Sequence, residues 1–255
     1  MNNILLIAQQ SYKEIYKSKI LYNVLFLGVA IFLITFVAAE FSYGVSDRVV
    51  IDIGLGISSL SIGIIAIFLG ANLIQNEIER KTLYMVLSRS VSRASFLLGK
   101  VLGLSIIIAT NLILLTLIVL GLYLLYEGEL SVVILYSVLF IFFEALLLLL
   151  VSVTFSLISN KILTILMALS LWFAGHGVDG LKELSMIKRD VFIYWIVDMY
   201  SIYMPNFSKF NIKNFIFNES LLSNSFIISS IIYSLVWTSI ILIVSCMLFN
   251  KKELT

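Results

Sequence analysis

The sequence predicts an all-α, polytopic membrane protein, and three observations carry that fold class. Of 255 residues, 61% are hydrophobic and only 13% are charged, whereas soluble domains carry about a quarter charged residues. Several apolar runs are long enough to cross about 30 Å of hydrocarbon, which takes about 20 residues in a helix. The runs are continuous, while a membrane barrel would show short segments of alternating hydrophobicity. The single Cys246 lies in a late apolar run, so an intrachain disulfide is excluded and an inert thiol is expected.

Six spans follow, near residues 21–39, 55–74, 101–125, 132–158, 162–178 and 225–249, all dominated by Leu, Ile, Val and Phe. Only Ser159, Asn160 and Lys161 separate the fourth from the fifth, which predicts a tight hairpin. A charged insert, 75–100, separates the second from the third. A polar and aromatic segment, 179–224, separates the fifth from the sixth. The whole chain, 1–255, reads as one transmembrane domain.

Lys and Arg in short loops set orientation, because basic loops stay on the cytoplasmic side. With the N-terminus inside, the inner segments carry 11 basic residues against four acids, and the outer segments six against ten. The short loop Glu127–Glu129 is purely acidic at its ends and falls outside. Both termini are therefore expected in the cytoplasm.

The first 20 residues contain no basic region before an apolar stretch and no small-residue cleavage site, so they do not read as a cleaved signal. Leu5, Ala8, Tyr12, Ile15 and Lys19 recur at helical spacing, with Gln9, Gln10, Lys13, Glu14 and Lys17 on other faces. An amphipathic helix in the cytoplasmic interface is expected. The outer segment holds Phe192, Tyr194, Trp195, Tyr200, Tyr203, Phe207, Phe210, Phe215 and Phe217. Aromatic rings favour the membrane–water boundary. Short interfacial or re-entrant helices are expected there, broken at Pro205 in "MPNFSKFN".

Some chemistries find no residues. No glycine-rich phosphate loop ending in Lys-Ser or Lys-Thr is present, so ATP hydrolysis is expected in another subunit. His176 is the one histidine, and no metal-ligand spacing surrounds it. No Ser/His/Asp set can be composed. Catalytic residues, a metal and a cofactor are therefore not expected, and neither is nucleic-acid binding.

The insert "NEIERKTLYMVLSRSVSRASFLLGK" (76–100) holds five Lys or Arg and two Glu. Glu77 and Glu79 open a helical pattern, where acids suit the positive helix end, and Glu77 precedes Lys81 by four. Leu83, Val86 and Leu87 then line one face. The pattern breaks at Ser88–Arg93, and Ser90 or Ser92 can cap the helix that leads into the third span. A solvated loop has no need of a Leu-Val-Leu stripe.

This insert resembles the cytoplasmic loop of ABC type-2 permeases. The shared pattern is Glu77 and Glu79, Thr82-Leu83, Leu87-Ser88, Val91-Ser92-Arg93 and Leu98-Gly99-Lys100. Lys81 stands where the family usually has Gly, and Ser90 where it usually has Pro. "MPNFSKFN" is similar to a subgroup of copper-site maturation and gliding-associated permeases. The resemblance implies a permease subunit in a bacterial inner membrane, dimeric and driven by a separate cytoplasmic ATPase through a coupling helix. The coupling residues it implies are Glu77, Glu79, Arg80, Leu83, Val86, Leu87, Arg89 and Arg93. Export of a substrate is the leading expectation. The rivals are mechanotransmission to an extracytoplasmic partner, a scaffold without a motor, and an intramembrane enzyme using Glu144.

Glu144 falls near the middle of the fourth span. A carboxylate there is costly and faces protein or water. It reads either as a substrate or proton contact, or as a hydrogen bond to a neighbouring span such as Asn111. His176, at the outer end of the fifth span, reads as a structural hydrogen-bonding group. Gly54, Gly56, Gly63 and Gly70 offer close helix contacts.

Overall fold

A computed structural model of the chain describes residues 2–16, 20–42, 44–79, 92–184, 190–217 and 222–251. All regular structure among them is helical: α1 (Asn2–Tyr16), α2 (Ile20–Glu40), α3 (Ser46–Glu79), α4 (Arg93–Leu125), α5 (Val132–Ile158), α6 (Lys161–Glu183), α7 (Val191–Tyr203) and α8 (Asn224–Lys251). Two 3₁₀ turns, Phe207–Phe210 and Lys213–Phe215, lie between α7 and α8. Five helices, α3, α4, α5, α6 and α8, are long and apolar enough to cross a membrane, and Phe26–Glu40 of α2 forms a shorter apolar helix.

The centre of the bundle is α3, α4 and α5. Aliphatic side chains are buried along all three, including Ile62, Ile67 and Ile74 of α3, Ile108 and Leu112 of α4, and Leu147 to Leu149 of α5. Close approach depends on glycine. A Cβ on Gly70 of α3 would stand 2.7 Å from the Leu149 carbonyl oxygen of α5 and 2.7 Å from Ser152 Cβ. Gly54 meets Val119 of α4, and Gly63 meets Trp172 of α6, in the same way. Gly56 has open space beside it. The outer faces of α2 and α8 are exposed and apolar, with Phe26, Val29, Leu33, Ile228, Ile232 and Leu235 among them.

The predicted helices start and stop where local chemistry changes. Asn160 caps α6 by accepting from the Leu163 N–H at 3.0 Å, which makes Ser159–Lys161 the tight α5–α6 hairpin expected. Ser92 caps α4, its Oγ accepting from the Ser95 N–H at 3.2 Å. Two helices run beyond their apolar runs. The α3 helix begins at Ser46, where Asp47 stands in its positive first turn. The α6 helix continues through Asp179 and Lys182, both of which are bonded to the segment that follows it.

The α1 helix packs on the first turns of α4. Ala8 and Ser11 are buried there, and Leu5 and Leu6 are exposed. The buried face is thus shifted from the stripe through Leu5 that spacing alone suggests. Gly99 and Gly103 cause the shift: Cβ atoms there would lie 2.9 Å from the Ile4 carbonyl and 2.7 Å from the Ala8 carbonyl. Four-residue spacing of glycine lets two helix backbones touch.

The segment between α6 and α8 divides its aromatics. On α7, Phe192, Tyr194 and Trp195 are exposed, and Lys182 ties the helix to α6 through Asp198 Oδ1 and Ser201 Oγ, each at 2.7 Å. After Met204 the chain turns inward. Phe207, Phe210 and Ile212 are fully buried among α3, α5 and α6. Asp179 holds this insertion by accepting from Asn206 Nδ2 at 2.9 Å and Ser208 Oγ at 2.5 Å. Tyr233 of α8 accepts the Asn206 N–H at 2.7 Å.

Candidate functional site

The inward segment lies over a largely apolar cavity of about 250 Å³ between α3, α5 and α6, with a few polar groups in its lining. Glu144 forms its floor, only 4% exposed. Its Oε1 accepts from Trp172 Nε1 at 2.7 Å and lies 2.8 Å from His176 Nε2. With Glu144 as a carboxylate, this contact requires the His176 tautomer that donates from Nε2. Trp172 and His176 are four residues apart on α6, one helical turn, and so address the same point. Phe207 packs against the other side of the imidazole at 6.0 Å between ring centroids. Gly175 makes room, since a Cβ there would strike Phe207 and the Pro205 carbonyl.

The walls of the cavity include Ser59, Leu60, Phe173, Asn211 and Lys213. Lys213 comes from the second 3₁₀ turn. Burial pushes its ammonium below the usual lysine range, while Glu144 and Asp52 pull it back up. Its Nζ makes no hydrogen bond or close ion pair among the described residues. Glu144 Oε2 likewise takes no hydrogen bond among them. Phe173 and Asn211 are exposed, so the cavity opens past them.

Of the three polar residues read from the sequence, Glu144 and His176 meet and Asn111 does not join them. Asn111 is buried on α4, and its Nδ2 has no hydrogen-bond partner among the described residues. Glu144 therefore bonds to α6 and not to α4. Trp172, Asn211 and Lys213 escaped the sequence reading. The one-turn spacing of Trp172 from His176 was a usable signal. Nothing local marks Lys213, because the chain brings it back from outside the spans.

Replacing Glu144 separates its roles. Glu144→Leu strands the buried Trp172 N–H, a loss of about 1–3 kcal/mol for an unsatisfied donor. Glu144→Gln keeps an acceptor oxygen and should stay within about 1 kcal/mol of the parent. Thermal unfolding of both variants in the same detergent checks the difference; equal midpoints would mean that the Glu144–Trp172 bond contributes nothing to the fold.

At the other end of the bundle, both feet of the charged insert are fastened. Glu77 Oε1, near the end of α3, lies 2.5 Å from Lys100 Nζ of α4, and Glu14 Oε2 of α1 lies 3.4 Å from the same ammonium. Arg93 donates to the Phe249 and Asn250 carbonyls of α8, each at 3.2 Å. A cation suits the negative end of a helix. Phe96 stacks on Phe249 beside this contact, 6.2 Å between centroids. Glu79 lies in the last turn of α3. Arg80, Leu83, Val86, Leu87 and Arg89 lie outside the described residues, as does Lys81, the partner expected for Glu77.

The Lys100 pairing has a measurable weight. Lys100→Met removes the ammonium 2.5 Å from the mostly buried Glu77 and should lower stability by about 1–3 kcal/mol, between exposed and fully buried ion pairs. Adding Glu77→Gln should recover most of that loss, because contacting residues are not additive. Melting temperatures for the two singles and the double test it, and simple additivity would refute a direct pairing.

Long apolar helices, glycine-mediated contacts and a buried carboxylate satisfied by a neighbouring helix together define a multi-pass membrane protein. The chain matches the family model described as ABC-2 family transporter protein over residues 3–254, and it belongs to that family. No curated protein matches it.

Proposed function

We propose that the chain is the permease subunit of an ATP-binding-cassette exporter, working as a homodimer and driven by a separate cytoplasmic ATPase. Six helices cross the membrane in this reading, α2 among them, with both termini inside and 179–224 outside. The charged insert, 75–100, supplies the coupling helix in this reading. One observation carries the proposal furthest: the two ends of this insert are fixed to the bundle through Glu77–Lys100 and Arg93–α8. A segment mounted at both ends can pass a push from a soluble motor to α1, α3, α4 and α8 together.

The decisive experiment is copurification of the motor after charges are placed in the Leu83–Leu87 stripe. Orientation is tested separately in a Cys246→Ala background. Ser185→Cys should label from outside intact cells and Ser88→Cys should not; the reverse pattern would refute the topology. A second reading, mechanotransmission to an extracytoplasmic partner, draws on the exposed aromatic face of α7, where Phe192 and Trp195 stand free of the bundle. Export draws instead on the cavity at Glu144.

A further inference from the structure

The cavity at Glu144 brings two opposite charges, Glu144 and Lys213, to one space with no direct bond between them, although Lys213 feels the charges of both Glu144 and Asp52. Glu144 is buried and oriented by Trp172 and His176 through one oxygen, while its other oxygen takes no hydrogen bond among the described residues. Lys213 reaches the same space from the returning segment and makes no hydrogen bond or close ion pair there. Buried charges are costly unless they are paired. The rings of Trp172 and Phe173 flank the space, and aromatic faces attract cations. Asn211 also lines the space, and its amide can donate to an anion.

We propose that this cavity binds a small zwitterion, with its ammonium on Glu144 Oε2 beside Trp172 and Phe173, and its anionic group on Lys213 Nζ and Asn211. A simple cation would leave Lys213 opposed to it, and a simple anion would face Glu144. A ligand with both charges satisfies each group and adds no net charge to a low-dielectric site. At about 250 Å³ the cavity lies just below the usual range of ligand sites, about 300–1,000 Å³, so its occupant is small. Two sources share this chemistry: a free zwitterion, and a zwitterionic lipid headgroup reaching in past exposed Phe173. The proposal goes beyond the permease reading and stands without it, because binding needs no motor.

The test uses the full chain purified in detergent. The three tryptophans are Trp172, Trp195 and Trp237, so Trp195→Phe with Trp237→Phe leaves Trp172 as the reporter. Glycerophosphoethanolamine and γ-aminobutyrate, each with one positive and one negative charge, are titrated alongside ethanolamine alone and inorganic phosphate alone. At least one zwitterion should change Trp172 emission saturably, with at least tenfold higher affinity than either single-charge probe. Glu144→Gln and Lys213→Gln, each checked for a monodisperse elution profile, should each weaken that response at least tenfold. If Glu144→Gln aggregates, Lys213→Gln decides alone.

Nanodiscs separate the sources. In phosphatidylglycerol discs the free zwitterion should bind as in detergent. If a headgroup is the occupant, discs containing phosphatidylethanolamine should shift Trp172 emission before any probe is added and weaken the probe's response. An emission that answers to no zwitterion, free or lipid-borne, overturns the proposal. So does equal binding of ethanolamine or phosphate, or an unchanged response in Lys213→Gln.

Discussion

Gly70→Val should be the most damaging single change in the spans. The added Cβ would stand 2.7 Å from the Leu149 carbonyl oxygen, which is backbone and cannot swing aside. Relief requires α3 and α5 to move apart, and these two helices form the most extensive contact in the bundle. Interiors packed at crystal-like density transmit such a displacement. Overpacking of this kind costs about 1–3 kcal/mol and occasionally more, and here the upper end is expected because backbone blocks the relaxation. Gly121→Ala is the control. Its Cβ would meet nothing within 4 Å, and alanine is the better helix former by about 1 kcal/mol. Thermal stability in detergent should fall sharply for the first and hold or rise for the second. If Gly70→Val melts with the parent, the α3–α5 contact is looser than the glycine implies.

Leu83→Asp combined with Leu87→Asp should abolish capture of the ATPase while leaving the permease inserted. No span is touched, so expression and elution should match the parent. Buried aliphatic side chains contribute about 1.5–3 kcal/mol each, and docked interfaces concentrate their energy in a few such anchors. Two such losses, with two carboxylates brought into an apolar groove, should reduce copurified motor by a hundredfold or more, since about 1.4 kcal/mol corresponds to a factor of ten. ATP-dependent function should disappear with it. Lys81→Gln, a change of charge off the stripe, should have little effect. A double variant that still carries its ATPase would mean that the stripe lies on the membrane surface, and the coupling assignment would fall.

The helices were legible because hydrocarbon demands long apolar runs, and each of the six runs lies within a helix of the structure. Their true ends were less legible. The extension of α6 through Asp179 and Lys182 depends on Asn206, Ser208, Asp198 and Ser201, which lie far along the chain. Local periodicity carries no trace of those partners. The inward course of Phe207–Ile216 was one of two expectations, interfacial or re-entrant, because aromatic residues suit both an interface and a buried core and composition does not choose between them. Here Phe207 and Phe210 took the core while Phe192 and Trp195 stayed outside.

The polar site was half legible. A carboxylate in a span announces itself by its cost, and His176 stood out as the one histidine. Their meeting across α5 and α6 required the tight hairpin at Ser159–Lys161, which sequence did predict. Asn111 was the natural partner by chemistry alone, yet it faces another part of the bundle. Lys213 needed the return of a whole outer segment, a long-range event that no motif encodes.

The grip of α4 on both α1 and α8 has a consequence for how the chain can be rewired. Glu14 meets Lys100, and the last carbonyls of α8 meet Arg93, so the first and last helices are fastened within two turns of one another, about 10 Å along α4. Both helices therefore meet the same end of the bundle, so two copies could be joined in a single polypeptide by a flexible linker that stays at that end. Such a tandem would let one copy carry the altered stripe or the altered cavity while the other stays intact, and activity could then be assigned to one half at a time.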